Sequence, residues 1–361
     1  MKHWQETRQI LDRLAALRAE GTRAALATVV RVRGSAYRRP GAKLLVDERG
    51  QTVGNVSGGC LDQDVRAVAL GVIERGRSER RSYCSGADPV EAWDLGVGCE
   101  GEVEVHVAPV GPWPDGLRER FEGEVPFAFC YLAEEGLGDA GGLLLTAEGA
   151  RGTLGSPMLD AAVESAVGAG SGEASSGLLE VEGRSVFVDR FTPPPRLLVF
   201  GAGDDARPLV RLAMEVGFRV TVVDRRPGLL AAERFPPGTQ LVAASGERLA
   251  TTVSVSGDCF ALLMTHSYAD DRAYAAALAS APLRYLGFLG PRARTERILT
   301  SLGLESLIED PHVFGPVGLD VGTEGAEQVA VSIVAELLAA RSGRAGGSLR
   351  ERCAPIHAAF R

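Results

Sequence analysis

The chain has 361 residues, 45% of them hydrophobic and 24% charged, with a formal net charge of −8. That length predicts two or three domains, and the composition excludes disorder over most of the chain. The acidic balance gives no support to nucleic-acid binding. No run of about 18 apolar residues suggests a membrane span. The opening MKHWQETRQILDRLAALRAEG is charged and amphipathic and lacks the apolar stretch of a secretory signal, so a cytoplasmic protein is expected. Without an export signal, Cys60, Cys84, Cys99, Cys130, Cys259 and Cys353 are read as free thiols rather than a disulfide framework.

In chain order, residues 4–20 predict a helix, with Ile10, Leu11, Leu14 and Leu17 on one side and Gly21 as its stop. Ala24 to Val32 reads as a strand. After the loop GSAYRRPGA, strands are expected around Lys43–Val46 and Gln51–Val56. A helix follows Cys60, with Leu61, Val65, Val68, Ala69, Val72 and Ile73 at helical spacing. VEVHV (103–107) reads as a strand with His106 half exposed. APVGPWPDG (108–116) looks like a connector, followed by short strands in PFAFCYLA, GGLLLT and RGTLG. The small, polar run 168–177 reads as a flexible loop, and Glu182–Gly183 as a hairpin turn. No repeat with a period of 20–50 residues is found.

The character changes after the stiff Pro193–Pro195 boundary. RLLVFGAG, FRVTVVD, FALLMTH and RYLGFLG are short apolar strands with helical patterns between them. The alternation predicts an α/β architecture: a mixed α/β N-terminal domain (1–192), a Rossmann-type doubly wound parallel sheet (196–342) and a tail (343–361).

Gly201-Ala202-Gly203-Asp204-Asp205-Ala206 follows a strand and opens a helix, which fits the dinucleotide fingerprint. Gly201 allows the tight turn, Gly203 the approach of a pyrophosphate, and Ala206 close packing of helix on strand. Asp224 ends the next strand, where an acid bonds a ribose hydroxyl, which favours NAD. Arg225 and Arg226 beside it suit the phosphate of NADP. Asp204 and Asp205 repel anions there. His266, at the end of a third strand, stands where α/β sheets bind ligands, as an acid/base, a ligand contact or a strand-end residue bonded to backbone.

In the first half, Ser57-Gly58-Gly59-Cys60 lies between a strand and a helix. A thiol at a helix N-terminus is biased toward thiolate, which makes Cys60 a nucleophile or a soft-metal ligand; the plain alternative is a small buried residue at a helix start. Residues 31–43 carry Arg31, Arg33, Arg38, Arg39 and Lys43 and no acid, so Arg38 or Arg39 is a candidate phosphate clamp, unless these arginines are paired with distant acids. A further glycine-framed thiol, Cys99, could share sulfur transfer or metal binding with Cys60.

These motifs resemble the XdhC family, accessory factors of xanthine dehydrogenase with relatives serving carbon monoxide dehydrogenase. GSAYRRPGAKLLVDERGQTVGNVSGGCLDQDV resembles its N-terminal motif, and RLLVFGAG, FRVTVVDRRP, LLMTH, YLGFLG and GPVGLDVGTEGAEQVAVSIVAELLAAR follow its Rossmann domain in order. The resemblance implies binding of the molybdenum cofactor and help in its sulfuration and insertion into a molybdenum hydroxylase. It also implies work with a cysteine desulfurase and a homodimer. Arg38, Gly41, Ser57, Gly58, Gly59 and Cys60 would then handle the cofactor, Cys60 touching molybdenum. The chain departs from the family pattern at Asp204 for His, Ser267 for Asp, Glu100 for Gly, and Gly290-Pro291-Arg292 for GSR. Asp62 stands for Glu.

The expected function is a non-catalytic cofactor chaperone. The alternatives are an NAD(P)-dependent oxidoreductase or a nucleotide-sensing regulator.

Overall fold

The computed structural model describes residues 2–34, 36–59, 61–84, 101–111, 116–138, 141–168, 175–255 and 259–351. Contacts divide the chain into two compact units, Lys2–Pro193 and Pro194–Ser348, with Leu349–Glu351 grouping with the first.

The first unit repeats one topology. Its first module runs α1 (Lys2–Ala19), β1 (Ala24–Gly34), β2 (Lys43–Asp47), β3 (Thr52–Gly54), α2 (Asp62–Arg75), β4 (Glu79–Cys84) and β5 (Gly101–Pro109). The second runs α3 (Leu117–Gly123), β6 (Phe127–Leu132), β7 (Gly142–Thr146), β8 (Gly149–Gly152), α4 (Pro157–Val167), β9 (Gly177–Val181) and β10 (Arg184–Phe191). The sheets are ordered β3-β2-β1-β5-β4 and β8-β7-β6-β10-β9, both antiparallel throughout. The second order is the first with each strand replaced by its counterpart. The repeating unit is far longer than the 20–50-residue period of solenoid repeats.

Alternation along each strand then sets the layers. In the first sheet Ala25, Ala27, Val29, Leu44, Val46, Val105 and Val107 pack under α2. In the second, Ala128, Cys130, Leu143, Leu145, Val186 and Val188 pack with Leu159 and Val163 of α4. The opposite faces meet each other, through Val30 with Phe187 and through the buried ion pair of Lys43 with Asp189. The unit is therefore a four-layer α/β/β/α sandwich.

That layering corrects two readings. His106 is 2% exposed rather than half exposed, because the face that alternation assigns to water is covered by the second sheet. Helices α3 and α4 stand where short strands alone are expected, although Ser156-Pro157 is a helix start and Leu159, Val163 and Val167 keep helical spacing. The thiols divide: Cys130 and Cys259 are buried, while Cys84 is exposed. Burial pushes the Cys130 thiol up to about 12.

The second unit contains β11 (Arg196–Phe200), α5 (Ala206–Glu215), β12 (Arg219–Asp224), β13 (Gln240–Ala243), α6 (Leu249–Thr252), β14 (Cys259–Leu263), α7 (Tyr268–Leu278), β15 (Leu283–Phe288), α8 (Arg292–Thr300), β16 (Val313–Phe314) and α9 (Gly325–Arg341). Its strands are parallel in the order β13-β12-β11-β14-β15-β16, the doubly wound arrangement. Helices α5 and α9 cover one face; α7 and α8 cover the other. Four of these six strands are evident in the sequence. The two that it hides are β13, whose residues are half buried or exposed, and β16, which is two residues long. Among the described residues no helix is long and apolar enough to cross a membrane.

Candidate functional site

The Ser57–Asp62 loop is built around one carboxylate. Asp62, the first residue of α2, accepts hydrogen bonds at Oδ1 from the backbone N–H of Val56 (3.2 Å) and Ser57 (3.0 Å) and from the Ser57 hydroxyl (2.9 Å). The Ser57 Oγ in turn accepts from the N–H of Gly59 (2.9 Å) and Leu61 (3.1 Å). A hydroxyl has one proton and two lone pairs, and Ser57 spends all three on its own loop. The positive end of the α2 dipole favours the carboxylate at this position. Gly59 adopts φ +114°, a conformation side chains rarely take, and Gly58 lies against the Tyr37 ring, which is 68% exposed. Cys60 itself, and Cys99, lie outside the described residues. The clamp around Cys60 is on both sides of it.

The neighbouring turn is fixed as firmly. The Gly41 N–H donates to the Val29 carbonyl (2.8 Å), and the Lys43 ammonium donates to the Gly41 carbonyl (2.9 Å) and to Asp189. Burial lowers the Lys43 pKa and outweighs the opposing pull of Asp189. Arg38 is not an open phosphate clamp. Its guanidinium fork is filled by both carboxylate oxygens of Glu6. Arg31 pairs with Glu104 (2.9 Å) and Arg33 with Glu102 (3.1 Å). Arg31, Arg33, Arg38 and Lys43 of the acid-free segment are thus paired with acids distant in sequence, which spacing could not reveal.

In the second unit Gly201, Gly203 and Ala206 take the positions the fingerprint requires. Gly201 has φ +116°, and a Cβ there would lie 2.5 Å from the Met264 carbonyl oxygen. A Cβ on Gly203 would meet the Asp205 carboxylate, and Ala206 is fully buried at the start of α5. Asp224 departs from expectation. Its Oδ1 accepts from the Arg226 N–H (2.8 Å) and Nε (2.9 Å); its Oδ2 accepts from the Ala202 N–H (2.9 Å) and Arg226 Nη2 (2.9 Å). A carboxylate offers about four acceptor sites, and all are taken. Burial pushes its pKa up, but Arg226 and the two N–H groups outweigh that and leave it lowered. No acceptor remains for a ribose hydroxyl, so the residues present do not fit the expected NAD contact.

His266 stands at the switch point between β11 and β14, in the left-handed region at φ 60°. Its Nε2 lies 2.7 Å from Asp205 Oδ2, a partner that sequence spacing does not suggest. Asp204 is met by Arg234 (3.2 Å) and Arg207 (3.6 Å). Ser267 caps α7 by accepting the Asp270 N–H (3.3 Å), a task Ser and Asp perform equally, which accounts for that departure. Among the described residues no three His, Cys, Asp or Glu side chains are grouped to hold a metal ion.

Comparison with known proteins agrees with this architecture. Residues 17–84 match the model of the XdhC and CoxI family, and residues 197–337 that of the XdhC Rossmann domain. The chain is 32% identical over 335 residues to a probable xanthine dehydrogenase subunit of Bacillus subtilis (strain 168), covering 91% of this chain and 96% of that protein. It is 24% identical over 355 residues to the molybdenum cofactor insertion chaperone PaoD of Escherichia coli (strain K12), covering 94% and 93%. A crystal structure of a xanthine dehydrogenase from Bacillus halodurans superposes with a TM-score of 0.74 at 28% identity, covering 94% of this chain and 97% of that one. The chain belongs to the XdhC and CoxI family.

Proposed function

We propose that this protein is a maturation factor that binds the molybdenum cofactor and assists its sulfuration and insertion into a xanthine dehydrogenase-type molybdenum hydroxylase. The names of the Bacillus and Escherichia relatives support the role. The single structural observation that carries it is the Ser57–Asp62 clamp, whose residues flank Cys60 in the sequence just before α2. The helix dipole there favours thiolate, the form that binds molybdenum or carries sulfur. The cofactor is cargo: Cys60 holds its metal centre until delivery, and Cys99 is a second carrier of sulfur.

Arg38 takes no part in holding the pterin phosphate, because Glu6 already fills its fork. Gly41 shapes the adjoining turn. A cysteine desulfurase as sulfur donor, a homodimer and a cytoplasmic setting complete the reading. The Rossmann-type unit is assigned no hydride chemistry, since Asp224 has no acceptor left for a ribose.

The test is activation of a cofactor-free molybdenum hydroxylase by a cofactor source with and without this protein. Faster activation with the wild type, lost with Cys60→Ala at unchanged thermal stability, is expected. Equal activation without the protein contradicts the role.

A further inference from the structure

The loop that leads into the second helix of each module turns in the same way. Ser57 Oγ accepts the Gly59 N–H, and Thr153 Oγ1 accepts the Gly155 N–H, both at 2.9 Å. Both glycines adopt positive φ, +114° and +96°. Gly59 therefore corresponds to Gly155, and Gly58 to Leu154. Leu154 is buried and joins Leu159 and Val163 in the apolar core of its module. Gly58 is exposed and has no side chain to anchor. A Cβ there would lie 3.7 Å from Cγ and Cδ1 of Tyr37, ordinary van der Waals contact. The second loop turns a side chain inward, whereas the first carries an aromatic ring on its outer surface.

Tyr37 is the one exposed aromatic side chain among the described residues; the other exposed large apolar residues are Met158, Val321, Val331 and Leu349. Its contact with Gly58 leaves the greater part of its surface open. The ring is nevertheless not loosely tethered. The next residue, Arg38, is held by both carboxylate oxygens of Glu6 on α1, and the ring itself rests on the loop that Asp62 and Ser57 fix. Beyond Gly58 the surface stays bare, since a Cβ on Gly59 would meet nothing within 4 Å. A tyrosine ring has a π-face and few rotatable bonds, so holding it in place loses little entropy when a flat molecule lies on it.

We propose that Tyr37 is a stacking platform for the flat heterocycle of a pterin. It binds the organic end of the cofactor, and the loop containing Cys60, two residues after Gly58 in the sequence, serves the metal end. The inference rests on the maturation role and adds to it a residue that binds by ring stacking rather than through sulfur or charge. Removing one aromatic platform beneath a stacked heterocycle weakens binding about tenfold. The phenol hydroxyl is not needed, because stacking uses the ring face.

The test is titration of 6-hydroxymethylpterin with the full chain, read by quenching of the pterin fluorescence. This probe carries no molybdenum, dithiolene sulfur or phosphate. Wild type and Tyr37→Phe should give the same saturable quenching. Tyr37→Leu, which keeps an apolar side chain but no ring, should raise the dissociation constant about tenfold at an unchanged thermal midpoint. Met158→Leu, on the loop of the other module, should bind as wild type does. No saturable quenching by the wild type overturns the proposal, and so does equal affinity in Tyr37→Leu. Either result leaves the maturation role standing on the activation assay with Cys60→Ala. Failure of that assay with pterin binding intact would remove the role and keep the stacking site.

Discussion

The first unit's two modules share a strand order and differ in chemistry, and the loop region before the second helix of each shows the difference. In the first, a hydroxyl and an aspartate clamp the loop before α2: Ser57 with Asp62. In the second the clamp recurs before α4: the Thr153 hydroxyl donates to Asp160 (2.7 Å) and accepts the Gly155 N–H (2.9 Å), and Asp160 accepts the Leu154 N–H (2.7 Å). Each clamp rests on a Leu-Asp pair, Leu61-Asp62 where α2 begins and Leu159-Asp160 in the first turn of α4, with both leucines buried. The residue before that pair is Cys60 in one module and Met158, 72% exposed, in the other. The scaffold of the loop is kept twice; the thiol is present once. The clamp is thus structural, and the chemistry lies in what it presents.

The largest effect is expected where the modules interlock. Lys43→Met leaves the Asp189 carboxylate buried without its cation, with the Ser176 hydroxyl (3.1 Å) still donating to it. That should cost about 3–5 kcal/mol in urea unfolding. Adding Asp189→Leu should recover most of that loss; a double variant no better than the single one would show that the pair is not the source.

His106 stands where the second module has Phe187. Its folded pKa of about 4 lies below the ordinary 6.5, so the unfolded chain binds the proton more readily. The resulting stability is complete above pH 6.5 and is lost as pH falls toward 4, at most about 3 kcal/mol. His106→Phe should flatten that part of the stability–pH curve. A curve unchanged by the substitution would remove His106 as its cause.

The two clamps should be matched in stability and unmatched in function. Asp62→Ala and Asp160→Ala each strand buried N–H groups, at about 1–3 kcal/mol. Only Asp62→Ala should lower molybdenum retention. The smallest effect belongs to Met158→Cys, within about 0.5 kcal/mol because the side chain is exposed. It adds a thiol to the second clamp and should raise the count of reactive thiols by one in a thiol titration of the folded chain.

Much of this is legible in the sequence, because local signals carry it. The strands β1, β2, β11, β12 and β14 and the helices α1, α2 and α5 follow from apolar periodicity and glycine stops. Gly201 follows from its fingerprint. What stays hidden depends on partners distant along the chain: Arg38 with Glu6, Lys43 with Asp189, His266 with Asp205. Asp224 is visible as an acid at a strand end, but not the saturation of its oxygens by Arg226 and Ala202. The doubling of the first unit is carried by topology and by two short Leu-Asp signatures, too little to stand out as a sequence repeat. The clamp residues are nevertheless present as a hydroxyl followed by Leu-Asp at a helix start.

The most direct measurement is the molybdenum and pterin content of purified protein loaded from a cofactor source, for wild type and for Cys60→Ala. With the thiol on only one of two clamped loops, the account predicts close to one cofactor per chain in the wild type and its loss in Cys60→Ala. Bound cofactor unchanged in that variant, or none in either protein, would contradict it.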